Sequence, residues 1–183
     1  LYPTRVSDEL LSLVRDSPKI CKYIDLPIQH INDRILKLMR RAITKKDSLS
    51  MIDRVRKKVP HVAIRSSLIV GFPGETDREF QELLKFTEEI KFERLGAFIY
   101  SREEGTLAYN FKNQIPGRIK TERLNEIMLL QQKVSESINK KLLNQDIDVL
   151  IDEKEDGHYL GRSQYDAPEV DGIVYVNSEK KLN

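Results

Sequence analysis

The nine residues from Val62 to Val70, Val-Ala-Ile-Arg-Ser-Ser-Leu-Ile-Val, restrict the fold of this chain more than any others. They are β-branched and almost continuously apolar, a pattern that suits a strand covered on both faces, as in a parallel sheet. Directly after them, Gly71-Phe72-Pro73-Gly74-Glu75 reads as a turn. Thr76 and Glu79 then supply a capping box for a helix through Phe80, Leu83, Leu84 and Phe86. Parallel strands need long crossover connections, so the flanking sequence must alternate strands with helices.

It does so over the first 145 residues. Ser7 caps a helix carrying Leu10, Leu11 and Val14, with Asp8 and Glu9 where the helix dipole favours acids. Lys22 to Leu26 reads as a short strand stopped by Pro27, and Asn32 opens a helix with Ile35, Leu36 and Met39 on one face. Thr44 and Asp47 resemble a second capping box, leading into Leu49, Ile52, Val55 and Val59 before Pro60 ends the element. Leu95 to Tyr100 is a further strand, and residues 101–117 form a long polar loop. Thr121 to about Leu143 is the longest helix, striped by Ile127, Leu130, Val134 and Ile138. The strand C-terminal ends carry function in such sheets, open or closed into a barrel. Three loops therefore matter: Pro27 to His30, Gly71 to Glu75, and Tyr100 to Thr106.

Beyond Gln145 the apolar period changes to two, through Ile147, Val149 and Ile151, a turn at Asp156-Gly157, then Tyr159-Leu160-Gly161 and Ile173 to Val176. Charge changes at the same place. From Asp146 to Val176 nine acids face only Lys154 and Arg162, a net of −7, whereas residues 1–145 carry +8. The expected organisation is an α/β unit over 1–145 and a β-rich unit over 146–183 with a different partner.

Several function classes drop out. No apolar run approaches the ~18–20 residues of a membrane span. His30, His61 and His158 lack zinc-site spacing, and no metal ligand is expected among them. The turn at Gly71 has neither the phosphate-loop pattern nor the dinucleotide glycines. The lone cysteine, Cys21, excludes an internal disulfide, suits a reducing cytosol, and is expected to be a buried bystander. The chain opens at Leu1 and reads as a piece of something longer. Arg65, a charge inside an apolar strand, needs either a wet pocket or an ion pair, for which Asp25 on the neighbouring strand is the candidate. Gln29 and His30 either bond a ligand or cap the following helix. Glu103 and Glu104 offer acid–base chemistry or are simply solvated.

Taken together, three strings carry a resemblance: Leu26-Pro27-Ile28-Gln29-His30; Arg65 through Ile69-Val70-Gly71-Phe72-Pro73-Gly74-Glu75-Thr76; and Tyr100-Ser101-Arg102-Glu103-Glu104-Gly105-Thr106. In order and spacing the chain resembles the radical S-adenosylmethionine methylthiotransferases. Residues Gly161 to Gly172 and the acidic second unit look like the branch that modifies a ribosomal-protein aspartate, where a tRNA-modifying branch would present a basic module.

The resemblance implies the fold: the C-terminal half of an incomplete parallel βα barrel, a linking helix, and a small, partial TRAM β-barrel. It implies a cytoplasmic enzyme using S-adenosylmethionine and two 4Fe-4S clusters. Cleavage of S-adenosylmethionine would yield a 5′-deoxyadenosyl radical that takes hydrogen from an aspartate Cβ before sulfur and methyl delivery. The family's C-x-x-x-C-x-x-C motif is absent from these 183 residues, so the chain alone should be inactive. By strand position the resemblance marks Gln29, Arg65, Ser67, Phe98 and Tyr100 as cofactor-pocket candidates, with Arg65 toward the site-bearing strand end. It marks Asp166, Glu169 and Asp171 as the face for a basic ribosomal protein. Catalytic residues are not assigned. A tRNA-adenosine methylthiotransferase and a non-enzymatic α/β binding module are the alternatives.

Overall fold

The computed structural model describes residues 5–182. Its first sheet is parallel, with strands β1 (Tyr23–Asp25), β2 (Ala63–Val70) and β3 (Arg94–Ile99) in the order β1-β2-β3. Helices α2 (Asp33–Leu38) and α3 (Lys45–Lys58) make the first crossover, and α4 (Asp77–Ile90) makes the second. Helix α1 (Asp8–Asp16) precedes them, and α5 (Gly117–Asn139) follows and packs on α4 and β3.

The expected caps are present. Ser7 accepts from Leu10 N–H, Asn32 accepts from Arg34 and Ile35 N–H, and Thr44 with Asp47 and Thr76 with Glu79 each close a reciprocal capping box. Helix α5 begins four residues earlier than the stripe predicts, directly after Pro116 at its N-cap.

Strand β2 alternates instead of being covered equally on both sides. Ser66, Leu68 and Val70 are buried, and Leu68 and Val70 join a core with Phe80, Leu83 and Ile127. Arg65, Ser67 and Ile69 point to the opposite face and are half-buried. Parallel register places Asp25 and Arg94 beside Arg65, Gly96 beside Ser67, and Phe98 beside Ile69. That second face is the inner wall of a partial barrel.

The second unit is an antiparallel sheet of β4 (Val149–Glu155), β5 (His158–Ser163) and β6 (Val174–Val176). Asp156 and Gly157 join β4 to β5 with φ of 47° and 87°, the paired positive values that a tight hairpin requires. At Gly161 a Cβ would stand 2.4 Å from the Leu150 carbonyl oxygen, so a side chain there would part the two strands.

The loop Ser163–Asp171 ties this sheet to the barrel strands at their N-terminal ends. Asp166 accepts from Arg94 Nε at 2.9 Å and from Ser163 Oγ at 2.5 Å. Asp171 accepts from the Tyr23 hydroxyl at 2.5 Å and lies 3.6 Å from Arg65 Nε. Their side chains are only 4% and 5% exposed, which corrects the expectation that both present an open docking face. The acids instead pair with half-buried cations of the inner wall, Asp166 with Arg94 and Asp171 with Arg65, which Asp25 also holds. Glu169 is exposed, on a residue with φ of 64°. Cys21 is also exposed, against expectation, because it precedes β1 in an open connection.

Candidate functional site

At the C-terminal ends of the three strands lies a cleft of about 570 Å³, lined by Gln29, Ile69, Phe72, Phe98 and Tyr100 with the residue 38–41 and 101–108 loops as its rim. Each wall has a local cause. Gln29 takes a left-handed backbone (φ 73°), and its N–H donates to Ser67 O while its carbonyl accepts from Ile69 N–H, so β1 is prolonged past Pro27 by one bridge. Phe98 is 54% exposed and leans over Gly96, where a Cβ would stand 3.4 Å from the ring. Phe72 meets Tyr100 edge-on, with ring centroids 5.1 Å apart at 70°.

Helix α5 holds the far side. Lys120 Nζ donates to Tyr100 O at 2.9 Å and sits 4.9 Å from the Tyr100 ring centroid. Burial lowers the Lys120 pKa. The Lys120 stem passes so close to Gly71 that a Cβ there would stand 2.4 Å from Lys120 Cγ. Arg123 donates to the Glu75 carbonyl at 3.2 Å and to Asp77 at 2.7 Å.

Beneath the cleft Glu75 is buried. One carboxylate oxygen accepts from the Gly71 and Phe72 N–H groups, and burial pushes the pKa up to about 7 against the pull of Arg123 and those two amides. His30 is fully buried and held neutral, its pKa lowered to about 4 by burial.

The structure therefore brings Gln29, Phe98 and Tyr100 together and leaves Ser67 one step below them on the inner wall. Arg65 lies elsewhere. As the third residue of β2 it sits toward the N-terminal end, 3.1 Å from Asp25 and next to Asp171, which corrects its placement at the site-bearing end. The position of Arg65 in the strand, read against the full length of β2, already pointed there. Glu75, Lys120 and Arg123 were not singled out from sequence. For Arg123 a signal existed: it stands four residues before Ile127 in an otherwise apolar stripe.

The cleft suits a nucleoside-sized ligand with an apolar, aromatic wall. Tyr100 Oη is buried there without a hydrogen-bond partner among the described residues, which offers one directed polar contact. That chemistry fits S-adenosylmethionine: the cleft lining supplies apolar and aromatic surface from Ile69 and Phe98 and polar groups on Gln29 and Tyr100. An iron–sulfur cluster does not fit: Cys21 is the lone thiol, and a four-iron cluster needs several. Among the described residues no group of three or more His, Cys, Asp or Glu side chains could hold a metal ion, and no helix is long and apolar enough to cross a membrane.

A half-barrel with a strand-end cleft and an appended β sheet defines a class, and comparison with known proteins agrees. Residues 2–87 match the Radical SAM superfamily and residues 145–183 match the TRAM domain. Among solved structures, the coproporphyrinogen III oxidase HemN of Escherichia coli superposes with a TM-score of 0.61 at 19% identity, over 73% of this chain and 31% of that one. An archaeal Elp3 from Methanocaldococcus infernus gives 0.52 at 15% identity, over 87% of this chain and 50% of that one. At such identities these two speak for the fold alone.

Sequence relatives are more specific. The chain is 50% identical, over 99% of its length, to the ribosomal protein uS12 methylthiotransferase RimO of Desulforamulus reducens, and 47% and 42% identical to RimO proteins of Clostridioides difficile and Parabacteroides distasonis. It spans about 41% of the length of those relatives. Over nearly its whole length the chain is similar to proteins that carry the RimO name, and its two matched segments are a Radical SAM segment and a TRAM segment.

Proposed function

We propose that the complete protein methylthiolates ribosomal protein uS12 in the cytoplasm, at the β-carbon of an aspartate, and that this chain contributes the half of the barrel that binds S-adenosylmethionine. The observation that carries the reading is the aromatic strand-end cleft of Gln29, Ile69, Phe98 and Tyr100 in a chain half identical to a uS12 methylthiotransferase. Bound there, S-adenosylmethionine supplies a reactive sulfonium and a methyl group. Phe98 and Ile69 exclude water from the nucleoside, Tyr100 Oη gives the buried polar contact, and Gln29 orients the ligand at the tip of β1.

The reading divides the chain after Gln145 into a partial barrel with its linking helix and a partial TRAM unit. Two 4Fe-4S clusters serve the complete enzyme, and the single cysteine of this chain leaves it inactive alone. The anionic balance of residues 146–176 favours a basic protein substrate over tRNA.

The test is to incubate the complete, anaerobically reconstituted protein with uS12 and with bulk tRNA, and to follow both by mass spectrometry. Gain of one methylthio group on a uS12 aspartate supports the reading. Transfer to tRNA adenosine, or to neither, overturns it.

A further inference from the structure

Two buried polar atoms beneath the cleft face each other with no hydrogen-bond partner among the described residues. They are His30 Nε2 and Glu75 Oε1, 4.0 Å apart, on side chains with no solvent exposure. The other atoms of both groups are engaged. His30 Nδ1 accepts from the Asn32 N–H at 3.0 Å, so a neutral ring carries its proton on Nε2, aimed at Glu75. Glu75 Oε2 accepts from Gly71 and from Phe72, the latter at 3.0 Å. Arg123 Nη1 stands 3.6 Å from Oε1.

The couple joins two walls of the cleft. His30 directly follows Gln29, which is pinned to β2 by its own backbone bonds. Phe72 rides on the turn whose amides Glu75 holds. The 4.0 Å gap is too long for a direct hydrogen bond, so the two groups act on each other through the attraction between the Nε2–H dipole and the carboxyl oxygen in a poorly solvated interior. A buried Nε2–H with no acceptor is costly, and Glu75 Oε1, held otherwise among the described residues only by the Arg123 ion pair at 3.6 Å, is the acceptor it faces.

We infer that His30 is a positioning residue: its Nε2–H, directed at Glu75, fixes the spacing between Gln29 and Phe72 and so the width of the cofactor cleft. The inference rests on the reading of the cleft as an S-adenosylmethionine site. The charged groups facing His30 are Glu75, Glu79, Glu82, Arg34 and Arg123, from α2, α4, α5 and the turn before α4. Burial keeps the imidazole neutral to about pH 4, while Glu75 titrates near 7, so Glu75 is the member that changes charge around neutrality. Its ionised form is the better acceptor for the Gly71 and Phe72 amides and for Nε2–H. Ligand affinity should therefore rise with pH through about 7.

The experiment measures equilibrium binding of S-adenosylmethionine to the complete, cluster-loaded protein from pH 6 to 8, alongside ¹⁵N spectra of its histidine rings. Wild type should bind roughly tenfold tighter at the upper end. His30→Leu, which fills the space without a donor, should weaken binding and move the midpoint of the profile upward. His30→Gln, which restores an N–H, should return it. Glu75→Gln should flatten the profile. A midpoint unmoved by His30→Leu, or an Nδ1–H tautomer in the folded wild type, overturns the inference. The ring spectra need no variant, so a misfolded substitution leaves that arm intact. Absence of binding by wild type at every pH instead overturns the cofactor reading of the cleft, while the tautomer still decides the His30–Glu75 couple.

Discussion

The hydroxyl of Tyr23 donates a 2.5 Å hydrogen bond to Asp171, joining the first residue of the parallel sheet to a loop 148 residues later. Burial and the Asp171 carboxylate together raise the Tyr23 pKa beyond the usual phenol range, so the hydroxyl stays a donor throughout the physiological interval. With the Arg94–Asp166 pair, this contact is how the acidic loop fastens the second sheet onto the barrel base.

The Arg94–Asp166 pair should be a large stabilising contact as long as both partners remain. Asp166 is 4% and Arg94 18% exposed, so removing one member leaves a charge in a poorly solvated place. Asp166→Ala is expected to cost about 3 kcal/mol of stability in urea unfolding. Limited proteolysis should cut the variant first near residues 140–150. A loss within experimental error, with an unchanged cleavage pattern, would show that the loop merely rests on the barrel.

Gly71 should tolerate no side chain. Its φ is +71°, and an added Cβ would meet Lys120 Cγ at 2.4 Å, close to the root of that side chain. Gly71→Ala is expected to destabilise the chain by roughly 2 kcal/mol, from left-handed backbone strain and overlap together. In a Lys120→Ala background only the backbone share should remain. Thermal denaturation of the four proteins tests this; equal losses in both backgrounds would remove Lys120 from the explanation.

Stability should depend on pH through His30 and Glu75 with opposite signs. His30 has its pKa lowered to about 4 in the fold, so between 6.5 and 4 the unfolded chain binds a proton that the folded chain refuses. Stability from this group falls as pH drops through that window, by an amount on the order of 3 kcal/mol. Glu75, raised to about 7, holds a proton that the unfolded chain has released above 4.5, so its contribution falls as pH rises from 4.5 to 7. His30→Gln should abolish the acid-side fall, and Glu75→Gln the fall toward neutrality. Urea midpoints across this range for the three proteins decide the matter, and parallel profiles would count against both assignments.

What could be read in advance follows from where the controlling interaction lies. Thr44–Asp47 and Thr76–Glu79 are local, three residues apart, and the capping boxes they announce are present. The apolar run of β2 is local too, and its parallel pairing follows from the helices flanking it. Asp166 and Asp171 were misplaced because their partners, Arg94, Arg65 and Tyr23, are remote in sequence, and an acidic count alone cannot separate a solvated acid from a paired one. Of the cleft, Gln29, Phe98 and Tyr100 were legible from strand ends. Lys120 and Arg123 were not, because their reach depends on how α5 crosses the strand tips.

Arg65 and Phe98 separate a strut from a wall. Both project from the inner face, and Arg65 Nη2 stands 3.7 Å from where a Gly96 Cβ would be, beside the Phe98 ring. Arg65, however, is 15% exposed and paired with Asp25 and Asp171, whereas Phe98 has no such engagement and is 54% exposed at the cleft. Arg65→Lys keeps the charge and loses the fork that reaches two carboxylates, so it should lower stability by about 1–2 kcal/mol and leave S-adenosylmethionine affinity of the complete protein within about twofold. Phe98→Ala should do the reverse, weakening affinity about tenfold through lost base stacking while stability stays nearly constant, since little of the ring is buried. Equilibrium dialysis with S-adenosylmethionine and urea unfolding of both variants supply the four numbers. A large affinity loss for Arg65→Lys with unchanged stability would return that guanidinium to the pocket and displace the cleft described here.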